Sequence, residues 1–449
     1  MIFGSADWYR ALMPFRSGLL SLCCALFVIP GGAQSLNDVR AQGKEMLRAV
    51  RKRVEKNYWD PSYGGIDINA AFAKAEAAME QAQSAGHSFG IIAQALAALK
   101  DSHTFFMPPA RVARVQYGWR MEMIGDRCFI TAVKPGSDAD SKGVRPGDEV
   151  LAVEGYRPTR DNLWRMKLTY YSLQPREKLR LALRKPEGLE GLVELASEIR
   201  PGKKVIDLAG DHGAEEYYEI LRNEMSEAAS DPHATIELGK DHELLIYRMP
   251  AFDLSAEEVD AHFGNLRRYK GVILDLRGNS GGGVAVLERA AAYLLGKGVV
   301  LAERKGRKKE KPIQSAGPVD APINARLAIL VDSGTASAGE ILARAVQIEK
   351  RGVVVGDRTS GSVRQSRQFS EQIGFDRVIY FGVSVTNADL VMKDGISIEG
   401  KGVMPDVLAL PTAADLAAGR DPALAKAAEI LGVSLSAEQA GAFFPKRWR

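Results

Sequence analysis

Apolar and polar positions are spaced in three different ways along this chain of 449 residues. Between roughly 35 and 110 the spacing is helical: "LNDVRAQGKEMLRAVRKRVEKNYWD" and "INAAFAKAEAAMEQAQSAG" set apolar residues three and four apart among good helix formers. From about 112 to 195, short strand-like runs alternate with turns such as "KPGSDAD" and "VRPGDEV". The stretch 198–240 is polar and mixed, and reads as a connector with some helix. From 241 to 410, apolar strands alternate with helices, the order expected of an α/β core. Residues 411–449 form a helical tail, in which "RDPALAKAAEIL" starts a helix with Asp421 as cap and Pro422 at its first position. No internal repeat is present.

The first 33 residues change the picture of where the protein works. Arg10 and Arg16 precede "SGLLSLCCALFVIP", an apolar stretch of 14 residues, and the small residues Gly31 and Ala33 follow. This is the pattern of a secretory signal peptide over 1–33, so the expected location is exported, periplasmic or extracellular. The stretch is short for a membrane span; if retained, it would anchor the protein or hold it at a membrane surface. Cys23 follows Leu22, where a lipoprotein signal wants a small residue. Removal of the segment leaves Cys128 as the lone cysteine, so no intramolecular disulfide is available. It also takes the formal charge from +4 to +3, a near balance that gives no reason to expect nucleic acid. The basic run "ERKGRKKEKP" reads as a solvated loop.

Candidate chemistry centres on "VDSGTASAGE", 331–340. A buried strand runs into small residues at Ser337 and then directly into a helix. Two readings are open. Ser337 followed by Glu340 fits a capping box. Alternatively, Ser337 is a nucleophile at a helix N-terminus, where backbone N–H groups and the dipole stabilise a developing oxyanion. Of six histidines, His103 in "ALKDSHTFFMPP" is the candidate base, because a desolvating Phe-Phe-Met-Pro-Pro stretch adjoins polar Asp101, Ser102 and Thr104. The glycine-rich strand-to-helix turn "DLRGNSGGG" lets amides of Gly281 and Gly282 approach a ligand. It lacks the G-x-G-x-x-G spacing, and "GISIEGKG" has Gly402 where a P-loop needs Ser or Thr, which leaves a nucleotide binder without companion residues. No H-E-x-x-H or paired C-x-x-C spacing points to zinc, so neither metal nor cofactor is expected. Glu399 lies in a glycine-flanked turn and is by itself a surface carboxylate.

Taken together and in order, "DLRGNSGGG", "DSGTASAGEILARAV", "GDRTSGSV" and "IEGKGVMPD" resemble the catalytic domain of the C-terminal processing (tail-specific) serine peptidases. "KPGSDADSKGVRPGDEVLAVEGYRP" at 134–158 resembles the PDZ domain that those peptidases carry ahead of the core. The resemblance covers roughly 45–430 and implies a multidomain α/β protein. Its parts would be a signal peptide (1–33), an N-terminal helical region (34–110), a PDZ-like β-rich domain (112–197), a connector (198–240), a crotonase-like or ClpP-like serine peptidase core (241–410) and the tail. One departure stands out: the best-known bacterial branch has a lysine base 25 residues after the nucleophile, and here that position is Ser362. The tricorn core protease of the same superfamily uses a Ser-His pair ahead of the nucleophile and a glutamate after it. By that resemblance His103 is the base, Ser102 its neighbour, Ser337 the nucleophile and Glu399 the distal carboxylate. A relocated lysine, Lys393 or Lys401, is the alternative. Ala338 and Gly281 or Gly282 would supply the oxyanion N–H groups, and Tyr117, Gly118 and Trp119 would form the PDZ carboxylate loop. The implied function is cleavage of polypeptides, with homo-oligomer or adaptor left open; the competing reading is an inactive peptide-binding scaffold.

Overall fold

The computed structural model describes residues 35–111, 113–201, 232–319, 321–374, 378–445 and 448. The signal-peptide expectation and most of the connector lie outside the described residues. The two ends of that connector are strands: Glu198–Pro201 pairs with Ala113–Gln116, and Ala234–Leu238 pairs with Leu244–Arg248.

The 241–410 stretch builds on a six-stranded sheet in which Leu244–Arg248, Gly271–Asp275, Arg326–Val331 and Val353–Gly356 run parallel. Both faces are covered, which is why these strands read as nearly continuous apolar runs. Leu245, Tyr247, Val272, Leu274, Ile329 and Val331 point into one core, against helices Ala256–Asn265, Val284–Leu295 and Ala338–Ile348. The alternate residues Leu244, Ile246, Ile273, Ala328 and Leu330 meet the tail helices Pro422–Ile430 and Ala437–Phe443 on the other face. Asp421 caps the first of these by accepting the Leu424 N–H at 3.0 Å.

Three helices, Leu36–Asn57, Ile68–Met79 and Ala85–Ala97, occupy the N-terminal region. Beside them, Trp119–Ile124, Arg127–Val133, Glu149–Val153, Lys178–Arg184 and Glu190–Ala196 form a five-stranded antiparallel sheet. The short strand Phe105–Met107, just after His103, pairs with the long strand Ile379–Met392 of a further sheet.

The five-stranded sheet is fastened to the six-stranded layer at the end of Trp119–Ile124. Asp357 accepts the Gly125 N–H at 2.9 Å and Arg160 Nη2 at 2.6 Å, while Arg160 Nε and Nη1 reach the carbonyls of Gly125 and Arg358. Ser333 Oγ donates to the Met123 carbonyl at 2.5 Å. The Arg160 and Asp357 side chains are only 11% and 9% exposed, so removing one partner strands a desolvated charge. Asp357→Ala is therefore expected to lower the unfolding free energy by about 3 kcal/mol in denaturant melts. A midpoint equal to wild type would mean that this contact does not fasten the two parts together.

Candidate active site

Three of the loops of interest leave the C-terminal ends of parallel strands, where α/β sheets place their ligand crevices. The Ser337 turn follows Arg326–Val331, the glycine turn follows Gly271–Asp275, and the 357–363 loop follows Val353–Gly356.

Ser337 stands at φ 53°, ψ −119°, a conformation that side chains rarely adopt, immediately before helix Ala338–Ile348. Its N–H donates to the Ser362 carbonyl at 2.8 Å and to Glu340 Oε2 at 3.2 Å. The carboxylate half of the capping expectation is thus present. The Glu340 N–H meets the Ser337 carbonyl at 3.0 Å. The turn is tied to the glycine turn: Asp332 Oδ1 accepts the N–H of Gly278, and Thr335 Oγ1 donates to the Leu276 carbonyl.

Gly281 packs directly on the serine. A Cβ there would lie 2.6 Å from Ser337 Cβ, 3.0 Å from its Oγ and 3.2 Å from Ala338 N. Gly282, at φ +142°, has no room either, because a Cβ would come within 2.4 Å of the Phe252 carbonyl. The Gly281 N–H is engaged with Asn279 Oδ1 at 2.8 Å. Among the described residues no acceptor meets the N–H groups of Gly282 and Ala338, so these two remain for an incoming oxygen.

His103 is half-buried, two residues ahead of strand Phe105–Met107 with Thr104 between. Asp101 fixes its backbone by accepting the His103 N–H at 2.8 Å. The ring Nδ1 lies 2.7 Å from Ser102 Oγ, which in turn donates to Glu399 Oε2 at 3.1 Å. Because the hydroxyl proton goes to the carboxylate, Ser102 Oγ accepts from Nδ1–H, and Nε2 is left unprotonated as an acceptor. Glu399 also accepts the Ser102 N–H at 3.1 Å and the Val363 N–H at 2.8 Å. Burial pulls the His103 pKa below its ordinary value, opposed by the charges of Glu399 and Asp101 and reinforced by Arg364. The imidazole is therefore neutral at pH 7, the state a base requires.

Ser102, His103 and Glu399 thus form one hydrogen-bonded relay. Ser337 joins it through backbone: its N–H is bound by Ser362, and the next residue, Val363, is bound by Glu399. Among the described residues no hydrogen bond links Ser337 Oγ to the His103 ring; such bonds often tighten only when substrate is bound. Ser362 Oγ lies 3.0 Å from Ser360 Oγ. Lys393 is held by Glu349 at 2.6 Å, and Lys401 is exposed.

Tyr117 and Trp119 are 1% and 2% exposed. Their rings belong to the core of the five-stranded sheet, and the Tyr117 hydroxyl bonds the Tyr170 carbonyl at 3.0 Å. At this loop the two aromatic side chains are therefore packed in the core. The Gly118 carbonyl accepts the Lys134 N–H. Asn279, Glu340 as a tertiary ligand, and Arg364, which bonds Asp101 at 3.0 Å, escaped sequence reasoning because their partners are remote in the chain. Among the described residues no group of three His, Cys, Asp or Glu side chains converges on a cation site.

A strained serine at a helix start, two open N–H groups beside it and a relay ending in a neutral histidine are the parts of a serine hydrolase. Residues 244–409, which carry the glycine turn, Ser337 and Glu399, match Peptidase family S41. It is 24% identical over 372 residues to carboxyl-terminal-processing peptidase 2, chloroplastic, of Arabidopsis thaliana, covering 79% of this chain and 66% of that one. It is 25% identical over 403 residues to the chloroplastic C-terminal processing peptidase of Tetradesmus obliquus, covering 84% and 78%. The structure of mature CPAF complexed with lactacystin shares the fold, with TM-score 0.61 at 15% identity over 88% of this chain and 97% of that one.

Ser337→Gly removes the penalty for a side chain at positive φ. It is expected to raise the unfolding free energy by about 1 kcal/mol in denaturant melts. No gain would mean that the turn is relaxed in solution.

Proposed function

We propose that this chain is an exported serine endopeptidase that cleaves polypeptides through an acyl-enzyme, with Ser337 as nucleophile, His103 as base and Glu399 acting through Ser102. The observation that carries the reading is the relay from Glu399 through Ser102 to His103 Nδ1, which leaves Nε2 unprotonated. In the first half-reaction His103 takes the Ser337 proton as Oγ attacks the carbonyl carbon, and the tetrahedral oxygen binds the N–H groups of Ala338 and Gly282. His103 then gives that proton to the leaving amine. Water repeats the sequence in reverse on the acyl-enzyme. Each oxyanion donor is worth about 3 kcal/mol by analogy with other hydrolases.

The five-stranded sheet is proposed as a PDZ-type module that adds a polypeptide C-terminus along its edge strand Trp119–Ile124. Support comes from its sequence resemblance and from that strand's edge position. The signal-like 1–33 supports export, and no described helix is long and apolar enough to cross a membrane.

Cleavage of an unfolded protein substrate by wild type, Ser337→Ala and His103→Ala, at matched concentration and with folding checked by circular dichroism, tests the assignment. Both variants are expected to lose activity by on the order of 10³-fold or more. Retained activity in Ser337→Ala would move the weight to a peptide-binding scaffold. Retained activity in His103→Ala alone would require a different base.

A further inference from the structure

We propose that Glu340 is a positioning residue for this active site, holding the nucleophile turn and the base relay in register through the backbone amides of the 359–363 loop. The inference rests on the Ser337–His103–Glu399 reading. Glu340 is fully buried on helix Ala338–Ile348, and its two oxygens receive four donors. Thr359 Oγ1 at 2.5 Å and the Gly361 N–H at 2.8 Å bind Oε1. The Ser362 N–H at 2.9 Å and the Ser337 N–H at 3.2 Å bind Oε2. A capping partner needs only the last of these; the other three come from a loop 19 to 22 residues away.

The next amide of that loop, Val363 N–H, goes to Glu399 Oε2, the oxygen that also accepts from Ser102. Three consecutive amides are thus divided between two carboxylates, one on the nucleophile side and one on the base side. If Glu340 lets go of 361 and 362, the Ser362 carbonyl that holds the Ser337 N–H and the Val363 amide that holds Glu399 shift together. A displacement of about 1 Å at a reacting group costs on the order of 100-fold in rate.

The ionisation state follows from the same contacts. All four acceptor directions of the carboxylate are filled by donors, so a proton can enter only by displacing one. Burial pushes the Glu340 pKa up to about 7, against the hydrogen bonds from Thr359, Gly361, Ser362 and Ser337, which lower it. The charged groups Glu399, Asp101 and Arg364 act on His103. The folded-state pKa of Glu340 lies above its ordinary value, so the group is ionised above about 7 and gains its proton as pH falls through that value. The His103 pKa is shifted the other way. Acid should therefore disable the enzyme by loosening the Glu340 clamp before it protonates the base.

The test compares wild type with Glu340→Gln, whose amide offers N–H where two of the donors need an acceptor. Steady-state cleavage of an unfolded substrate is followed from about pH 5 to about 9, with backbone hydrogen exchange at 361–363 measured alongside. The expected result at alkaline pH is a kcat lower by about 100-fold with KM within about twofold. The acid limb of kcat/KM should move from about 7 to below the ordinary histidine value, and the three amides should exchange faster. Unchanged kcat, or a reduced kcat with the acid limb still near 7, overturns the proposal. If wild type cleaves nothing, the proposed function fails while exchange still decides the clamp: faster exchange at 361–363 in Glu340→Gln supports it and unchanged exchange sinks it. Should that variant not fold, protection of 361–363 in wild type must fall through about pH 7 relative to the core strands, and a flat profile overturns the proposal.

Discussion

A backbone N–H removed from water must find an acceptor or cost about 1–3 kcal/mol, and a desolvated guanidinium costs more. The short loop after strand Val353–Gly356 presents such groups in sequence: the amides of Gly361, Ser362 and Val363, then the Arg364 side chain. Each is met by a carboxylate from a different part of the chain. Glu340 comes from the helix that follows the nucleophile, Glu399 from the turn after the long strand Ile379–Met392, and Asp101 from the segment that carries His103. Residues 103, 337 and 399 converge because one loop has four donors and three separated segments hold the acceptors. Asp101 extends the arrangement further, since it also binds the N–H groups of His103 and Thr104 and the Thr386 hydroxyl.

Such an arrangement is not stable by itself. A serine held at positive φ costs ~1–3 kcal/mol, and a carboxylate buried beside it adds a desolvation penalty of its own. The compensation lies in the helix behind them. Ile341, Leu342 and Val346 are at most 2% exposed and pack on the central sheet. At ~1.5–3 kcal/mol each, their burial outweighs the strain of the turn. The glycine turn has its own anchor: Arg277 lies between Asp275 and Asp421, with bonds of 2.7–2.8 Å to each. That ties the start of the turn to the cap of tail helix Pro422–Ile430, so the tail is part of the scaffold of the oxyanion side.

The local parts of this design were legible in the sequence. The strand before Ser337, the helix after it, the glycine turn and the Asp421 cap each depend on neighbours within a few residues, and the periodicity reports them. Pairing between distant segments was not legible: Glu198–Pro201, at the start of the 198–240 connector, is a strand whose partner is Ala113–Gln116. Glu340 looked like an ordinary cap because three of its four donors lie in another loop. Trp119 is a different matter. In "WRMEMI" the apolar residues Trp119, Met121 and Met123 alternate with Arg120 and Glu122, and all three are buried. That alternation alone assigns the indole to the core.

On the proposed assignment, position 362 need not be a lysine for the site to have a base. A lysine at this position would be required to work as a neutral amine in a desolvated site, beside the donors that Glu340 and Glu399 already engage. On the proposed assignment the residue keeps only its backbone functions, the N–H for Glu340 and the carbonyl for Ser337, while the base comes from the opposite wall as His103. Histidine brings a requirement that lysine lacks: its ring must be held in one tautomer. The Ser102 hydroxyl meets that requirement by passing its proton to Glu399, so the carboxylate sets the tautomer without touching the ring. Two carboxylates then divide the work according to where their charge is needed. On that assignment Glu399 stabilises the imidazolium formed during turnover, and Glu340, bound to the Ser337, Gly361 and Ser362 N–H groups, holds the loop against which both reacting groups are set.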